Sequence, residues 1–154
     1  MPTSVPAAKA GIRDYLRTID GLRPTDGVTV RGAPVALGGA TDKQIVLGDV
    51  IAPQERAGLS RKAETPTMTC WLRVTRPGAD DVAEDAARED AAGLLALVQA
   101  AITTDPTCAG AIPPPGRTMI GESELQEYPT DAGEGTAGRG VQYRFTITWE
   151  SHIL

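Results

Sequence analysis

Residues 80–103, DDVAEDAAREDAAGLLALVQAAIT, limit what this chain can fold into more than any other stretch. Apolar side chains recur at Ala87, Ala91, Leu94, Leu95, Val98, Ala101 and Ile102, in steps of three and four that a helical period gathers onto one side. Asp80, Asp81, Glu84 and Asp85 stand where the positive end of a helix dipole favours carboxylates, and Asp81 with Glu84 has the spacing of a capping box without its Ser or Thr. Thr104-Asp105-Pro106 ends the pattern, because proline lacks an N–H and pushes its predecessor out of the helical region. At about 1.5 Å per residue such a helix runs roughly 35 Å, enough to cross a small sheet from edge to edge.

The rest of the chain supplies that sheet. Residues 4–20 place Val5, Ala8, Ile12, Leu16 and Ile19 at helical spacing, with Ser4 as a cap, Pro6 in the first turn and Gly21 as a stop. Residues 28–31 and 44–51 are β-rich runs separated by turn residues. Residues 53–66 carry Glu55, Arg56, Arg61, Lys62 and Glu64 with little apolar content, which predicts a mobile arm or loop. Residues 67–75 alternate, with Met68, Cys70, Leu72 and Val74 on one face and Thr67, Thr69, Trp71, Arg73 and Thr75 on the other. Residues 118–125 read as a weaker strand, and 130–140 have loop composition. Residues 141–153 form the strongest strand, Val141, Tyr143, Phe145, Ile147, Trp149 and Ile153 opposing Gln142, Arg144, Thr146, Thr148, Glu150 and His152.

The order is α-β-β-β-α-β-β. It implies one α+β domain over residues 1–154, a mostly antiparallel sheet of four to five strands with both helices on its apolar face. The core is expected at Ile12, Leu16, Leu72, Leu94, Leu95, Val98, Ile102, Phe145 and Ile147. The opposite, polar face then meets water or another subunit.

A net charge of −5 argues against a clamp that neutralises phosphates. No apolar run approaches a membrane span, and residues 1–10 lack a signal-peptide core, so a soluble cytoplasmic protein is expected. Cys70 and Cys108 match no metal or redox spacing and read as unpaired thiols. No base stands beside a nucleophile, and no metal or cofactor motif is visible, so no enzyme is expected. His152 reads as a solvated strand residue. Gly133, Gly135 and Gly138 match the letters of GxGxxG, but a strand rather than a helix follows, and residues 38–43 lack P-loop spacing. Trp71, sharing its polar face with Arg73, is the kind of aromatic that either anchors an interface or covers the sheet locally.

An amphipathic opening helix, an Ala-rich, acid-started helix running into Asp105-Pro106-Thr107-Cys108-Ala109-Gly110, and a closing GRGVQYRFTI stretch over residues 138–147 resemble the tail terminator proteins of long-tailed bacteriophages, the lambda-type minor tail proteins. The resemblance covers essentially the whole chain and implies a structural virion protein at the neck end of the tail. Six copies would ring the last layer of major tail tube protein, end tube growth and face the head-completion or connector protein, with DNA passing through the lumen without sequence-specific binding. On the residues themselves, no cofactor, metal or membrane is expected. Residues Glu55, Arg56, Arg61, Lys62, Glu64, Trp71, Arg73, Arg144 and Glu150 are the expected subunit or tube contacts. Other head–tail connector components, and a non-viral adaptor or ligand-binding domain, are the alternatives.

Overall fold

A computed structural model describes residues 5–32, 42–52, 54–56, 62–78, 80–112, 116–131 and 137–153. Helix α1 spans Val5–Leu16 and α2 spans Asp81–Thr104. The strands are β1 (Val28–Arg31), β2 (Asp42–Ile51), β3 (Gln54–Arg56), β4 (Lys62–Glu64), β5 (Thr67–Pro77), β6 (Thr118–Asp131), β7 (Ala137–Trp149) and β8 (Ser151–Ile153). Five of them make the main sheet in the order β1-β2-β5-β7-β6, and β3-β4-β8 make a small second sheet.

The α+β class and the order of the main elements match the sequence reading. The sheet is mixed, because β1 pairs with β2 in parallel while β2–β5, β5–β7 and β7–β6 are antiparallel. A four-residue strand is only about 13 Å long, and the ten residues between β1 and β2 can reach roughly 33 Å, ample for a return to the same end.

Four expectations need correction. Residues 53–66 are not simply a loop: β3 pairs with β4, and β4 with β8, so the charged stretch is tied down by backbone hydrogen bonds. The loop expected over 130–140 is largely strand, since β6 runs to Asp131 and β7 starts at Ala137. Their ladder, together with β5, supplies partners for Gly138, Arg139 and Gly140. The single strand expected over 141–153 breaks at Glu150, where the chain leaves the main sheet for the small one. The opening helix also stops early. Thr18 doubles back on the Tyr15 carbonyl through its N–H at 3.0 Å and its hydroxyl at 2.7 Å, which tightens the last turn and ends it.

Helix α2 begins one residue before the expected capping pair. Asp80 is the N-cap, and its carboxylate accepts from the Ala83 N–H at 2.9 Å. The buried stripe is Ala83, Ala87, Ala91, Leu94, Leu95, Val98, Ala101 and Ile102, small residues first and large ones later. The alanine half comes close to the end of β5, where Arg76 Nε donates to Asp90 at 2.8 Å. Beyond the helix the Asp105 carboxylate accepts from Thr107 Oγ1 at 2.6 Å, Thr107 N at 3.0 Å and Ala109 N at 2.9 Å. Those bonds, the Thr107 hydroxyl foremost, hold its carboxyl below the usual carboxylate range. They also brace Cys108 and Ala109 at φ 51 and 58, a left-handed conformation that costs a side-chain-bearing residue about 1–2 kcal/mol.

Both helices lie on one face of the main sheet, and the predicted core residues Ile12, Leu16, Leu72, Leu94, Leu95, Val98, Ile102, Phe145 and Ile147 are all buried there. The Tyr15 hydroxyl donates to the Ala101 carbonyl at 2.7 Å and joins α1 to α2. Helix α1 also comes very near the turn after α2: a Cβ on Gly11 would stand 2.4 Å from the Ala111 Cβ, so only glycine fits that approach. Cys70 and Cys108 are buried and unpaired. Among the described residues no helix is long and apolar enough to cross a membrane.

Leu95 is 7% exposed in the middle of this contact. Leu95→Ala should lower unfolding free energy by about 2–5 kcal/mol, measured by urea titration, and a loss under about 0.5 kcal/mol would show that the helix does not pack as described.

Burial pushes the Cys70 thiol up to about 12 and the Cys108 thiol up to about 11, from an ordinary 9.0. The unfolded chain ionises these thiols near their ordinary value and the folded one does not. The stability from keeping them neutral is therefore intact below pH 9.0 and lost as pH rises toward the folded values. The urea midpoint should fall over that window, and native protein at mildly alkaline pH should resist thiol alkylation; rapid labelling without unfolding would contradict it.

Candidate functional site

Strand alternation places Thr67, Thr69, Trp71 and Arg73 of β5 beside Thr148, Thr146, Arg144 and Gln142 of β7 on the face away from the helices. Trp71 stands opposite Arg144 on one side and Val46 on the other. Its indole lies against Gly48 of β2, where a Cβ would meet the ring at 2.3 Å and the Thr69 carbonyl oxygen at 2.6 Å. The Arg73 guanidinium carbon sits 6.0 Å from the indole centroid, a cation–π distance worth about 0.5–1 kcal/mol at a partly exposed site. Arg73 Nε donates to Gln142 Oε1 at 2.7 Å, and Gln142 Nε2 donates to Gln126 Oε1 at 2.9 Å. One row of polar side chains thus links β5, β7 and β6.

Trp71, Arg73 and Arg144 are brought together on this face. Glu150 is not with them: it lies at the break between β7 and β8. Glu55, Arg56, Lys62 and Glu64 share the small sheet, where Arg56 is opposite Lys62 and Gln54 opposite Glu64, while Arg61 lies outside the described residues. His152 pairs with Ala63 in that sheet, not with the main polar face. Of the GxGxxG glycines, Gly138 lies within β7, and Gly133 and Gly135 are outside the described residues.

Two features escaped the sequence reading. A groove of about 630 Å³ opens at the C-terminal end of α2, bounded among others by Ile102, Pro106, Arg117, Met119, Trp149 and Glu150. Its position depends on how the turn at Asp105 returns the chain to β6, which no periodicity encodes. The other is the charge of the β6 edge: Glu122, Glu124, Glu127 and Asp131, with no Lys or Arg in residues 118–131. That bias was readable, but an edge can be recognised only once strand order is known.

The chemistry on offer is recognition: an aromatic, cations, amides and hydroxyls on a flat face. Among the described residues, no three His, Cys, Asp or Glu side chains are grouped to hold a metal ion.

No protein-family model matches this chain, and no curated protein sequence matches it. Its fold is similar to that of a chain in the virion of a native gene transfer agent particle, with a TM-score of 0.54 and 16% sequence identity. The match covers 98% of this chain and 100% of that one, so the likeness extends over nearly the whole length of both.

Gly48→Ala should push the Trp71 indole off β2, because the Thr69 carbonyl beneath it is backbone and cannot swing away. With 5-fluorotryptophan, the Trp71 fluorine resonance should move and that of buried Trp149 should stay; an unchanged spectrum would show that the indole does not rest on Gly48.

Proposed function

We propose that this protein is a structural component of a phage-like virion, and specifically a tail terminator: a ring of six copies on the end of the tail tube, halting its growth and presenting a surface to the head-completion protein. The observation that carries the reading is the full-length fold likeness to a chain of a gene transfer agent virion, with neither chain bearing a large unmatched region. The element order and the closing strand, which resemble tail terminators, give the finer assignment. A flat polar face of cations, amides and an aromatic suits contact with another protein more than small-molecule chemistry. In this reading Trp71, Arg73 and Arg144, with Glu55, Arg56, Arg61, Lys62, Glu64 and Glu150 of the arm and its junction, meet the tube ring. Charge complementarity there would set register more than affinity. DNA would pass through the lumen without base-specific contact, and the chain would act without catalysis or cofactor.

Removing the protein from particle production separates this role from its neighbours. Loss of a terminator leaves tubes of uncontrolled, abnormal length; loss of a head-side connector leaves tails of normal length beside filled, tailless heads. Purified protein should also cap pre-formed tubes as six-membered rings in electron micrographs, and normal tail lengths in its absence would overturn the assignment.

A further inference from the structure

The two edges of the main sheet are opposite in character. At the β1 edge, Arg17 donates to the Val30 carbonyl through Nε at 3.1 Å and Nη2 at 2.7 Å, while Lys9 Nζ donates to the Gly32 carbonyl at 3.3 Å and more closely to the Gly48 carbonyl of β2 at 2.9 Å. Lys9 and Arg17 lie eight residues apart, so Arg13 falls between them on the same side of the helical run. The flank from Lys9 to Arg31 holds five cations, Arg23 being the fifth, against three carboxylates, Asp14, Asp20 and Asp26. The surplus is cationic although Asp14 neutralises Arg13 at 3.0 Å and Asp20 pairs with Arg23 at 2.8 Å.

The β6 edge is open. Beyond Thr118, no hydrogen bond from outside the β6–β7 ladder reaches its backbone among the described residues. Helix α1 packs on β1 and β2 while α2 packs mainly on β5 and β7, so β6 overhangs the helical layer. Residues 121–126 are exposed on both faces, and this overhang includes Leu125 at 41% exposure. Of its acids, Glu124 stands across from Arg144.

The geometry points to a head-to-tail contact between copies of this chain, in which the β6 edge of one protomer, through Glu122, Glu124 and the overhanging Leu125, seats on the Arg13–Arg31 flank of the next. The occupant is a second copy because the complementary charge lies on the opposite edge of the same sheet. Two different surfaces that satisfy each other through rotation give a heterologous interface, and a closed ring when the rotation closes. Ring closure rests on the assembly reading above, whereas the pairwise contact exists in free solution and needs no tube.

The test uses disulfide trapping. Glu124→Cys and Arg13→Cys in one chain should crosslink into dimers and higher species at least tenfold faster than a control carrying Arg13→Cys with Ala96→Cys, a position exposed on α2. Native Cys70 and Cys108 are buried and should stay silent. Added salt should slow the trapping, since exposed charges are screened. Charge reversal supplies the second arm, scored by sedimentation at high concentration and low salt. Glu122→Lys/Glu124→Lys alone and Arg13→Glu/Arg31→Glu alone should each lose association. An equal mixture should regain it, because the lysine-bearing edge of the first variant then meets the glutamate-bearing flank of the second, and the unaltered edge of the second meets the unaltered flank of the first. Trapping no faster than the control, or no recovery on mixing two folded variants, would overturn the contact. A trapped contact in a protein whose loss leaves tail length normal would instead overturn only the terminator reading.

Discussion

The packing of α2 across β5 and β7 is the contact on which the other elements depend. Its buried residues change from alanines near Asp80 to Leu94, Leu95, Val98 and Ile102 further on, and this taper lets one end of the helix approach the sheet closely while the other fills the space above Phe145 and Ile147. Roughly 25 cal/mol accompanies each Å² of apolar surface removed from water, so the single ion pair between Arg76 and Asp90 is a minor partner whose value lies in orienting the helix. With α1 joined to α2 on the same side, that face is committed to the core. On the other face Gln44 and Val46 of β2 are buried as well, and Arg73 and Arg144 reach solvent.

Elements whose burial repeats along the chain could be read from residues alone. The alternation of Met68, Cys70, Leu72 and Val74, and of Val141, Phe145, Ile147 and Trp149, survives in the structure because each strand has one dry face. The small sheet has no such signature. Its strands are three residues each, Gln54-Glu55-Arg56 and Lys62-Ala63-Glu64 among them, and it exists because β8 arrives from nearly ninety residues away, a pairing no local pattern announces. Gly138, Arg139 and Gly140 look like turn residues but lie in a strand, since neighbours on both sides hold the backbone extended. Local propensity lost there to tertiary pairing.

The candidate surface was legible in the same uneven way. Period-two alternation was enough to put Trp71, Arg73 and Arg144 on one face. Glu150 followed the same parity and still left that face, because the chain changes sheet at that residue. Trp71 covers part of its own sheet, its indole lying against Gly48 and standing opposite Val46, with Arg73 beside it.

An open strand of fourteen residues is normally a hazard, because one unpaired backbone row is a template for another. In β6 the carboxylates that bias the edge also guard it. Two such edges meeting in an antiparallel register centred on Ser123 would set Glu122 of each chain across from Glu124 of the other, where like charges across a ladder repel. The register shift between Ile120 and Ser123 and the proline at position 129 interrupt the row further, leaving a short window between them. The exposed backbone row of β6 is thus guarded against pairing with another copy of itself by the same residues that give the edge its charge.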